Sequence, residues 1–217
     1  MELVDVVLPC LDEAAALPGV LAAIPPGYRA IVVDNGSVDG SPAVAAQCGA
    51  TVVREARRGY GAAVHAGLEH SGADIVCFLD ADGSLDPADL TGLVELVRNG
   101  TARLAVGRRV PVRRGVWPWH ARAGNWVLAR VLRRRGLSVS DIAPMRAARR
   151  ADLLELGVAD RGFGYPLELL VRAARARWSV VELDVAYRPR AEGTRSKVSG
   201  SVRGTLRAVR DMAGVLR

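Results

Sequence analysis

Long apolar runs, cysteine pairs and a leader segment are all missing from this sequence of 217 residues. No apolar run approaches the ~18–20 residues that a helix needs to cross a bilayer, so no membrane-spanning helix is expected. The start, MELVDVVLPCLDE, has neither a basic leader nor a cleavage site, and no signal peptide is expected. The cysteines, Cys10, Cys48 and Cys77, lack metal spacing and are odd in number. These absences favour a reducing, cytoplasmic location over a disulfide framework.

Lysine is also nearly missing, and the charge that remains is unevenly distributed. Residues 1–100 carry 5 Arg and 14 Asp or Glu, a net charge of −9. Residues 101–217 carry 24 Arg, one lysine (Lys197) and 9 acidic residues, a net charge of +16. The split predicts one end of the molecule that holds a cation and another that holds an anion. Solvated arginine faces account for most of the individual arginines.

Apolar β-branched runs alternate with helical stretches through the first hundred residues. The strands are predicted over 3–9, 29–34, 50–55, 73–80 and 102–109, and the helices over 12–24, 39–48, 61–71 and 87–99. This order predicts an α/β fold with a Rossmann-like, mostly parallel sheet flanked by helices, in one domain. The later pattern predicts a loop (110–121), a basic helix (122–136), a strand feeding a helix (140–156), a helix (165–178), a strand pair (179–189) and a polar loop (190–201).

Acidic residues cluster where three predicted strands end, in LPCLDE, VVDNGSVDG and FLDADGS. Ligands of open parallel sheets bind outside the carboxyl ends of the strands, so adjacent strands would bring these side chains together. Crowded carboxylates require a cation or hydrogen-bond donors, and hard oxygens without nearby Cys or His favour Mg²⁺ or Mn²⁺ over zinc. Such an ion keeps positions open for the phosphates of a nucleoside diphosphate. The four carboxylates are Glu13, Asp34, Asp80 and Asp82.

The acidic positions also have structural interpretations. The run Asp34-Asn35-Gly36 has the composition of a turn, and Asp39 or Asp86 suits a helix cap. Asp86-Pro87 is best interpreted as a cap followed by proline at the first helical position.

Six blocks of the sequence resemble, in order, those of a known family. VVLPCLDEAAAL, IVVDNGSVDGS, ARRGYGAAVHAGL and FLDADGSLDP resemble the nucleotide-binding blocks of family 2 glycosyltransferases with the GT-A fold. SDIAPMRAARR and YRPRAEGTRSKVSGS resemble later blocks of the branch that contains dolichyl- and polyprenyl-phosphate sugar transferases. The resemblance implies a metal-dependent, inverting transfer of sugar from a UDP- or GDP-linked donor to a polyprenyl or dolichyl phosphate. A soluble small-molecule acceptor is the alternative.

The resemblance also implies a division of the domain and a role for each matching position. Residues 1–109 would bind nucleotide and metal, and 110–200 would bind the acceptor. For residues 201–217, the helical spacing of the apolar side chains predicts a basic amphipathic helix. Asp80 and catalytic Asp82 would be the DxD pair that holds the metal. The other nucleotide-sugar contacts would be Pro9, Leu11 and Glu13 around base and ribose, Asp34 at the base edge, Ala81 against the ribose, and Arg58 and Gly61 where the backbone passes the nucleotide.

Asp141 stands at the place of the family's second active-site Asp, and a surface turn is the structural alternative. The chain has Ala143-Pro144-Met145-Arg146 where the family usually shows Ser-Gly-Phe-Arg, a departure on the acceptor side. A hydroxyl acceptor needs a general base, but a phosphate monoester, with a second pKa of about 6, is already mostly ionised at pH 7. With a phosphate acceptor, Asp141 would orient groups rather than remove a proton.

Arginines of the second half are candidate phosphate ligands, because guanidinium groups bind phosphate bidentately. An anionic acceptor and a departing nucleoside diphosphate would both need them, and the loop EGTRSKVSG would close over the nucleotide. The acceptor and phosphate candidates are Arg108, Arg109, Arg122, Arg190, Arg195 and Lys197, with Arg113, Arg114 and Arg188 beside them.

Tryptophans beside arginines, together with the C-terminal helix, favour peripheral contact with the inner face of an anionic membrane. Packing of that helix on the sheet is the alternative. The tryptophans are Trp117, Trp119 and Trp126, and the apolar helix face would consist of Val202, Leu206, Val209, Ala213 and Leu216.

Three other functions are weighed against the transferase. A nucleotidyltransferase would need a glycine-rich, basic loop after strand one, and PCLDEAAAL offers none. An NAD enzyme would need a third glycine at the fingerprint spacing, which GYGAAVHAG lacks. A nucleic-acid-binding module would suit the basic second half, but the acidic crevice and the lack of RNP, KH or zinc patterns argue against it. We therefore expect no nucleic-acid partner.

Overall fold

A computed structural model describes residues 2–191, 208 and 210–215, which form a seven-stranded sheet with helices on both faces. The strand order is β3-β2-β1-β4-β6-β5-β7. β6 runs antiparallel to β4 and β5, and the other neighbouring pairs are parallel. The predicted mostly parallel α/β sheet is therefore confirmed. The strands are β1 (Val4–Cys10), β2 (Tyr28–Asp34), β3 (Thr51–Arg54), β4 (Ile75–Phe78), β5 (Leu104–Pro111), β6 (Met145–Arg149) and β7 (Val180–Tyr187).

The helices cover the two faces of the sheet. Successive residues of β1 show this arrangement, since Val6 and Leu8 join one buried cluster and Val7 joins the other. A strand buried on both faces needs apolar residues on both, which explains its continuous apolar run. The helices are α1 (Leu17–Ala22), α2 (Ser41–Gln47), α3 (Tyr60–His70), α4 (Leu90–Arg98) after a 3-10 turn (Pro87–Asp89), α5 (Trp119–Arg134), α6 (Arg150–Glu155) and α7 (Tyr165–Arg175).

Several predicted bounds are wrong. The first helix begins at Leu17 rather than at residue 12, because residues 12–16 form a turn that starts with Asp12 at a positive φ of 53°. The strand pair expected over 179–189 is the single strand β7, which pairs along the whole length of β5. Side-chain alternation alone does not distinguish one long strand from two short ones.

The end of the chain packs on the domain where it is described. Residues 210–215 are helical, and Met212 and Val215 lie against the cluster that α7 also covers. The Asp211 carboxylate accepts a hydrogen bond from the Phe163 amide at 3.2 Å. Of the predicted apolar face, Ala213 is described, and it is exposed. The other members of that face, Val202, Leu206, Val209 and Leu216, lie outside the described residues.

Across the described ranges, every helix is too short or too polar to traverse a lipid bilayer.

The sheet order brings the acidic strand ends together. β1 lies between β2 and β4, with Cys10 opposite Asp34 and Val7 opposite Phe78. The adjacency on which the carboxylate cluster depends is therefore confirmed.

Replacement of Gly67 in α3 by alanine is expected to destabilise the fold. An added Cβ would press on Val7 of β1 and would lie 2.9 Å from the Cγ2 of Val33 in β2. The packed sheet leaves neither valine room to move, so Gly67→Ala should lower the free energy of unfolding by about 1–3 kcal/mol. Urea unfolding followed by circular dichroism measures the change.

Gly124 of α5 supplies the matched control, because an added Cβ there meets nothing within 4 Å. Gly124→Ala should raise the free energy of unfolding by about 0.5–1 kcal/mol, the ordinary helix gain. Equal effects of the two substitutions would contradict the close packing of α3 on the sheet.

Candidate active site

Two carboxylates, a half-buried one at Asp80 and a buried one at Asp82, follow β4 at the centre of the sheet edge. Asp82 is 3% exposed, and its Oδ1 accepts a hydrogen bond from the Ser84 amide at 2.9 Å. Its Oδ2 lies 2.8 Å from Nη1 of Arg190. Asp80 accepts a hydrogen bond from the Tyr60 hydroxyl at 3.3 Å. Burial and the neighbouring Asp82 charge raise the pKa of Asp80 to about 6, although Arg190 and Arg109 act in the opposite direction.

This carboxylate pair fits a divalent cation. Desolvation and the neighbouring Asp82 charge both disfavour the ionised form of Asp80, and a bound cation would favour it. Within the described residues, no cluster of three or more His, Cys, Asp or Glu forms a complete protein cage. A cation held by Asp80 and Asp82 would therefore complete its coordination with oxygens from outside this set, as Mg²⁺ and Mn²⁺ do with phosphates.

The segment that follows β7 is tied to the loop that carries the pair. The Arg188 amide donates to the Ser84 carbonyl at 2.9 Å, and the Ala191 amide donates to the Asp82 carbonyl at 3.0 Å. The Arg188 guanidinium also binds the Asp86 carboxylate at 2.9 Å. Residues 188–191 are called the strap below.

The predicted cap at Asp86 is confirmed. Its Oδ1 accepts a hydrogen bond from the Ala88 amide at 3.0 Å, and Pro87 begins the 3-10 turn.

Asp141 is buried beneath an arginine rather than exposed in a surface turn, so that alternative is wrong. It is 1% exposed, and Arg109 reaches it with Nε at 2.8 Å, Nη2 at 2.7 Å and the backbone amide at 3.0 Å. Burial acts to raise the pKa of Asp141, but the Arg109 hydrogen bonds and charge outweigh it and lower that pKa. This geometry suits orientation of Arg109 better than proton removal.

Aromatic rings hold the other side of the Arg109 guanidinium. Its Cζ lies 4.2 Å from the ring centroid of Trp117 and 5.5 Å from that of Tyr187. The two rings pack edge to face, with centroids 5.8 Å apart. Arg109 is therefore fixed by an ion pair and by cation–π contacts.

Two polar residues that sequence reasoning missed fix the backbone around Asp141. Glu182 accepts hydrogen bonds from the amides of Ser140 (2.8 Å) and Asp141 (3.0 Å). Asn125 donates to the Ser140 carbonyl at 3.1 Å and accepts from the Ile142 amide at 2.9 Å. Asn125 lies in α5 and Glu182 in β7, each as a single polar residue within the pattern of its element. Neither pattern indicates that the side chain binds the Asp141 backbone.

Arg146 supports the same loop from below. It is buried, and it donates to the carbonyls of Ala143 (2.8 Å) and Ile142. Ala143 has a positive φ of 46°, and these hydrogen bonds hold its carbonyl in place. Burial lowers the pKa of Arg146 to about 10, so the side chain remains a cation at neutral pH. The sequence contained one indication of this role. Arg146 matches the arginine of the family's Ser-Gly-Phe-Arg run, although the three residues before it differ.

A cavity of about 710 Å³ joins Asp80, one member of the carboxylate pair, to several arginines. Asp80 lies at one wall, and the aromatic pair Trp117 and Tyr187 lies at another. This concentration of guanidinium groups suits an anionic ligand with more than one negative charge. The lining arginines are Arg109, Arg113, Arg114, Arg188 and Arg190.

The other arginine candidates lie elsewhere. Arg108 points away from the cavity and forms two hydrogen bonds of 2.6 Å with Asp184, because side chains alternate along β5. Arg122 is exposed on α5 and does not line the cavity. Arg195 and Lys197 lie outside the described residues.

The predicted base pocket is at the ends of β1 and β2. Asp34 is buried and accepts a hydrogen bond from the Ser37 amide at 2.9 Å, so it also forms the expected turn. Glu13 is also buried, whereas Pro9 and Leu11 are half-buried. Ala81, expected against the ribose, instead packs in a buried apolar cluster.

Asn35 has a larger role than the turn interpretation predicts. Its amide donates to the carbonyls of Glu55 (3.0 Å) and Arg57 (2.8 Å), and it accepts from the Gly59 amide at 2.8 Å. It thereby holds residues 55–59 beside the end of β2.

Gly61 faces another part of the chain rather than an open nucleotide pocket. Its amide donates to the Gly162 carbonyl at 3.0 Å, and an added Cβ would lie 2.9 Å from the carbonyl carbon of Arg161. The glycine is thus required for close contact between the first turn of α3 and the loop at residues 161–164. Arg58 is exposed, and its guanidinium covers Gly36, whose added Cβ would lie 3.0 Å from the Arg58 Cζ.

Sequence comparison matches residues 5–157 to the model of the family described as Glycosyl transferase family 2. An uncharacterized glycosyltransferase of Mycobacterium tuberculosis is 58% identical over 214 residues, covering 98% of this chain and 97% of that protein. An undecaprenyl-phosphate mannosyltransferase of Micrococcus luteus is 32% identical over 219 residues, covering 91% of this chain and 88% of that relative.

Solved structures with the same fold include glucosyl-3-phosphoglycerate synthase from Mycobacterium tuberculosis, in complex with Mn²⁺, UDP and glucosyl-3-phosphoglycerate. The TM-score is 0.78 at 26% identity, over 99% of this chain and 78% of that one. The match confirms the predicted GT-A architecture.

Asp141→Asn is expected to destabilise the protein strongly at neutral pH. The substitution removes the charge of buried Asp141 and leaves Arg109, whose side chain is 19% exposed, without its partner, which should cost about 3–5 kcal/mol. Because pairing lowers the pKa of Asp141 in the folded protein, its stabilisation is present above the ordinary carboxylate pKa of ~3.9 and is lost as the pH falls through the lower folded value. Denaturant unfolding of both proteins over a pH series should show the difference shrinking in acid.

Asp184→Asn is the matched control, since Asp184 also binds an arginine through two hydrogen bonds but on the exposed surface. Its effect should be at most about 1 kcal/mol. Comparable losses for the two variants would show that burial of the Arg109 pair is unimportant.

Proposed function

Since the chain belongs to glycosyltransferase family 2, we propose that it transfers a sugar from a nucleoside diphosphate donor to a polyprenyl phosphate. The observation that carries the proposal is the cavity that joins Asp80 to five arginines, one of which, Arg190, is paired with Asp82. A donor diphosphate bound through a cation and an acceptor phosphate bound by guanidinium groups would meet in this space. The protein is a glycosyltransferase of the GT-A fold, and the proposal concerns its donor, cation and acceptor.

The donor would bind at the carboxyl ends of β1, β2 and β4. Asp80 and Asp82 would hold Mg²⁺ or Mn²⁺, and that cation would supply positive charge to the departing diphosphate. Asp34 would accept a hydrogen bond from the base edge, which both uracil and guanine can donate, so UDP and GDP donors are both retained. The Mn²⁺ and UDP in the glucosyl-3-phosphoglycerate synthase crystal support this assignment.

The acceptor would be an ion that needs no general base. Asp141 is engaged by Arg109, and a phosphate monoester is largely ionised at neutral pH. An acceptor phosphate oxygen would form a bond to the anomeric carbon while the bond from that carbon to the diphosphate oxygen breaks. Displacement from the opposite face would invert the anomeric carbon, as the family resemblance implies. Asp141 would keep Arg109 directed at the incoming phosphate.

A lipid acceptor is favoured by the surface beside the cavity. Trp119 and Trp126 are 79% and 57% exposed, and Val112 and Val127 are exposed as well. Apolar groups next to arginines suit peripheral contact at the cytoplasmic face of an anionic membrane, where a polyprenyl chain would remain in lipid. The undecaprenyl-phosphate mannosyltransferase relative supports this acceptor class.

A soluble phosphate-bearing acceptor is the second candidate. It is favoured by the structural match to a synthase crystallised with glucosyl-3-phosphoglycerate. Assays that offer undecaprenyl phosphate, undecaprenol and 3-phosphoglycerate separately, each with labelled UDP- and GDP-sugars, distinguish the two. Transfer to the lipid phosphate supports the proposal, and transfer to 3-phosphoglycerate alone contradicts it.

Asp82→Asn is expected to abolish metal-dependent nucleotide binding. Titration calorimetry of wild type with UDP and GDP should show binding of one nucleotide that needs Mn²⁺. The variant should bind that nucleotide at least about 100-fold more weakly, because the cation links carboxylate and diphosphate. Asp86→Asn, which alters the nearby cap, should keep binding within about threefold. No metal-dependent binding by wild type would contradict the transferase assignment of this site.

Simultaneous Arg113→Gln and Arg114→Gln substitution should weaken binding of the acceptor but not of the donor. Both arginines line the cavity from the loop that follows β5, on the proposed acceptor side. The KM for undecaprenyl phosphate should therefore rise about tenfold or more with donor affinity unchanged. Steady-state kinetics with each substrate varied measures the split. Arg108→Gln removes an arginine outside the cavity and is the control. It should leave both KM values within twofold of wild type, a binding free-energy change of ~0.4 kcal/mol or less. Equal changes in the two variants would overturn the acceptor assignment.

A further inference from the structure

Arg190 occupies the electrostatic position that a cation needs at Asp82. Its Nη1 lies 2.8 Å from Asp82 Oδ2, and its side chain is 31% exposed while that of Asp82 is almost completely buried. Asp80 lies two residues before Asp82 and lines the same cavity as Arg190. A partly exposed guanidinium group therefore stands beside both carboxylates, in the space that a cation would enter.

The strap holds Arg190 beside the pair through its backbone. Hydrogen bonds on either side of this residue, from the Arg188 and Ala191 amides, fix the strap to the loop of Asp82 and Ser84. The side chain can therefore leave Asp82 by rotation while its Cα stays in place. It already borders the cavity, which is the adjacent space for the released guanidinium.

We infer that Arg190 is an exchangeable counter-ion: it neutralises Asp82 in the metal-free protein, and a divalent cation displaces it toward phosphate in the cavity. This inference rests on the proposed function of the carboxylate pair. A phosphate that enters with the cation would offer the freed guanidinium a new anionic partner. Cation binding and phosphate binding would then be coupled through one side chain, and the carboxylates would not be left unpaired in either state.

The test is the affinity for Mn²⁺ alone, measured without nucleotide from the electron paramagnetic resonance signal of the free ion. Arg190→Gln removes the competing charge and should bind Mn²⁺ about tenfold more tightly than wild type. Arg190→Lys keeps a charge and should stay near wild type. Arg188→Gln is the matched control, because Arg188 belongs to the same strap and binds Asp86 instead. The Mn²⁺ affinity of Arg188→Gln should differ from that of wild type by less than about twofold.

A second measurement follows the released side chain. With Mn²⁺ saturating, Arg190→Gln should bind the preferred nucleoside diphosphate or inorganic pyrophosphate about five- to tenfold more weakly than wild type. Opposite changes in the two affinities support the exchange, and a purely structural role for Arg190 would not produce them.

The inference is overturned if Arg190→Gln binds Mn²⁺ no more tightly than wild type, including when neither binds, or if Arg188→Gln tightens it equally. It is also overturned if phosphate affinity is unchanged. Failure of the proposed function looks different, because wild type would then bind neither UDP nor GDP in the presence of Mn²⁺. Normal nucleotide binding with unchanged Mn²⁺ affinity in Arg190→Gln rejects the exchange alone.

Discussion

Neutralisation of buried carboxylates by arginine is the interaction on which this site depends. Asp82 and Asp141 are almost fully buried at the end of an apolar sheet, where an unpaired negative charge would be very costly. Arg190 and Arg109 supply the compensation, at 2.8 Å and 2.7 Å. Each pair also sets the position of a guanidinium group at the cavity. Charge compensation and construction of the anion site are therefore the same physical arrangement.

The two pairs nonetheless differ in how firmly they are held. Arg109 has an ion pair, a backbone hydrogen bond to the same carboxylate and two aromatic rings around it. Arg190 has an ion pair with Asp82 and a backbone held by the strap. A rigid arginine suits an acceptor whose orientation must be fixed, and a movable one suits a ligand that arrives with its own cation.

The parts of the fold that depend on local pattern could be predicted from the sequence. The β-branched runs predict the strands, and the acidic ends of β1, β2 and β4 predict the cluster, because parallel strands end at one edge. The place of β6 could not be predicted, since its antiparallel pairing with β4 and β5 depends on contacts distant in the chain.

The site shows the same division. Asp80, Asp82 and Asp141 stand in recognisable blocks, whereas Glu182 and Asn125 are isolated polar residues whose partners become visible only when distant segments meet. Gly61 also depends on tertiary contact, because its lack of a side chain accommodates the loop at Arg161 and Gly162, which its own sequence block does not indicate. Local pattern identifies the candidate site residues. Tertiary contacts determine which other residues hold those side chains in position.

The position of the strap near the end of the described chain has a consequence for biosynthesis. During translation the DxD segment is synthesised long before the strap. One edge of β4 can pair with β1, but its other edge lacks a partner until β6 has been synthesised. The nascent first half therefore carries its excess acidic charge without the arginines that later balance it, and it exposes the edge of a strand destined for the centre of the sheet. Assembly of the site is thus a late event in the life of each molecule, completed when residue 190 reaches the loop made more than a hundred residues earlier.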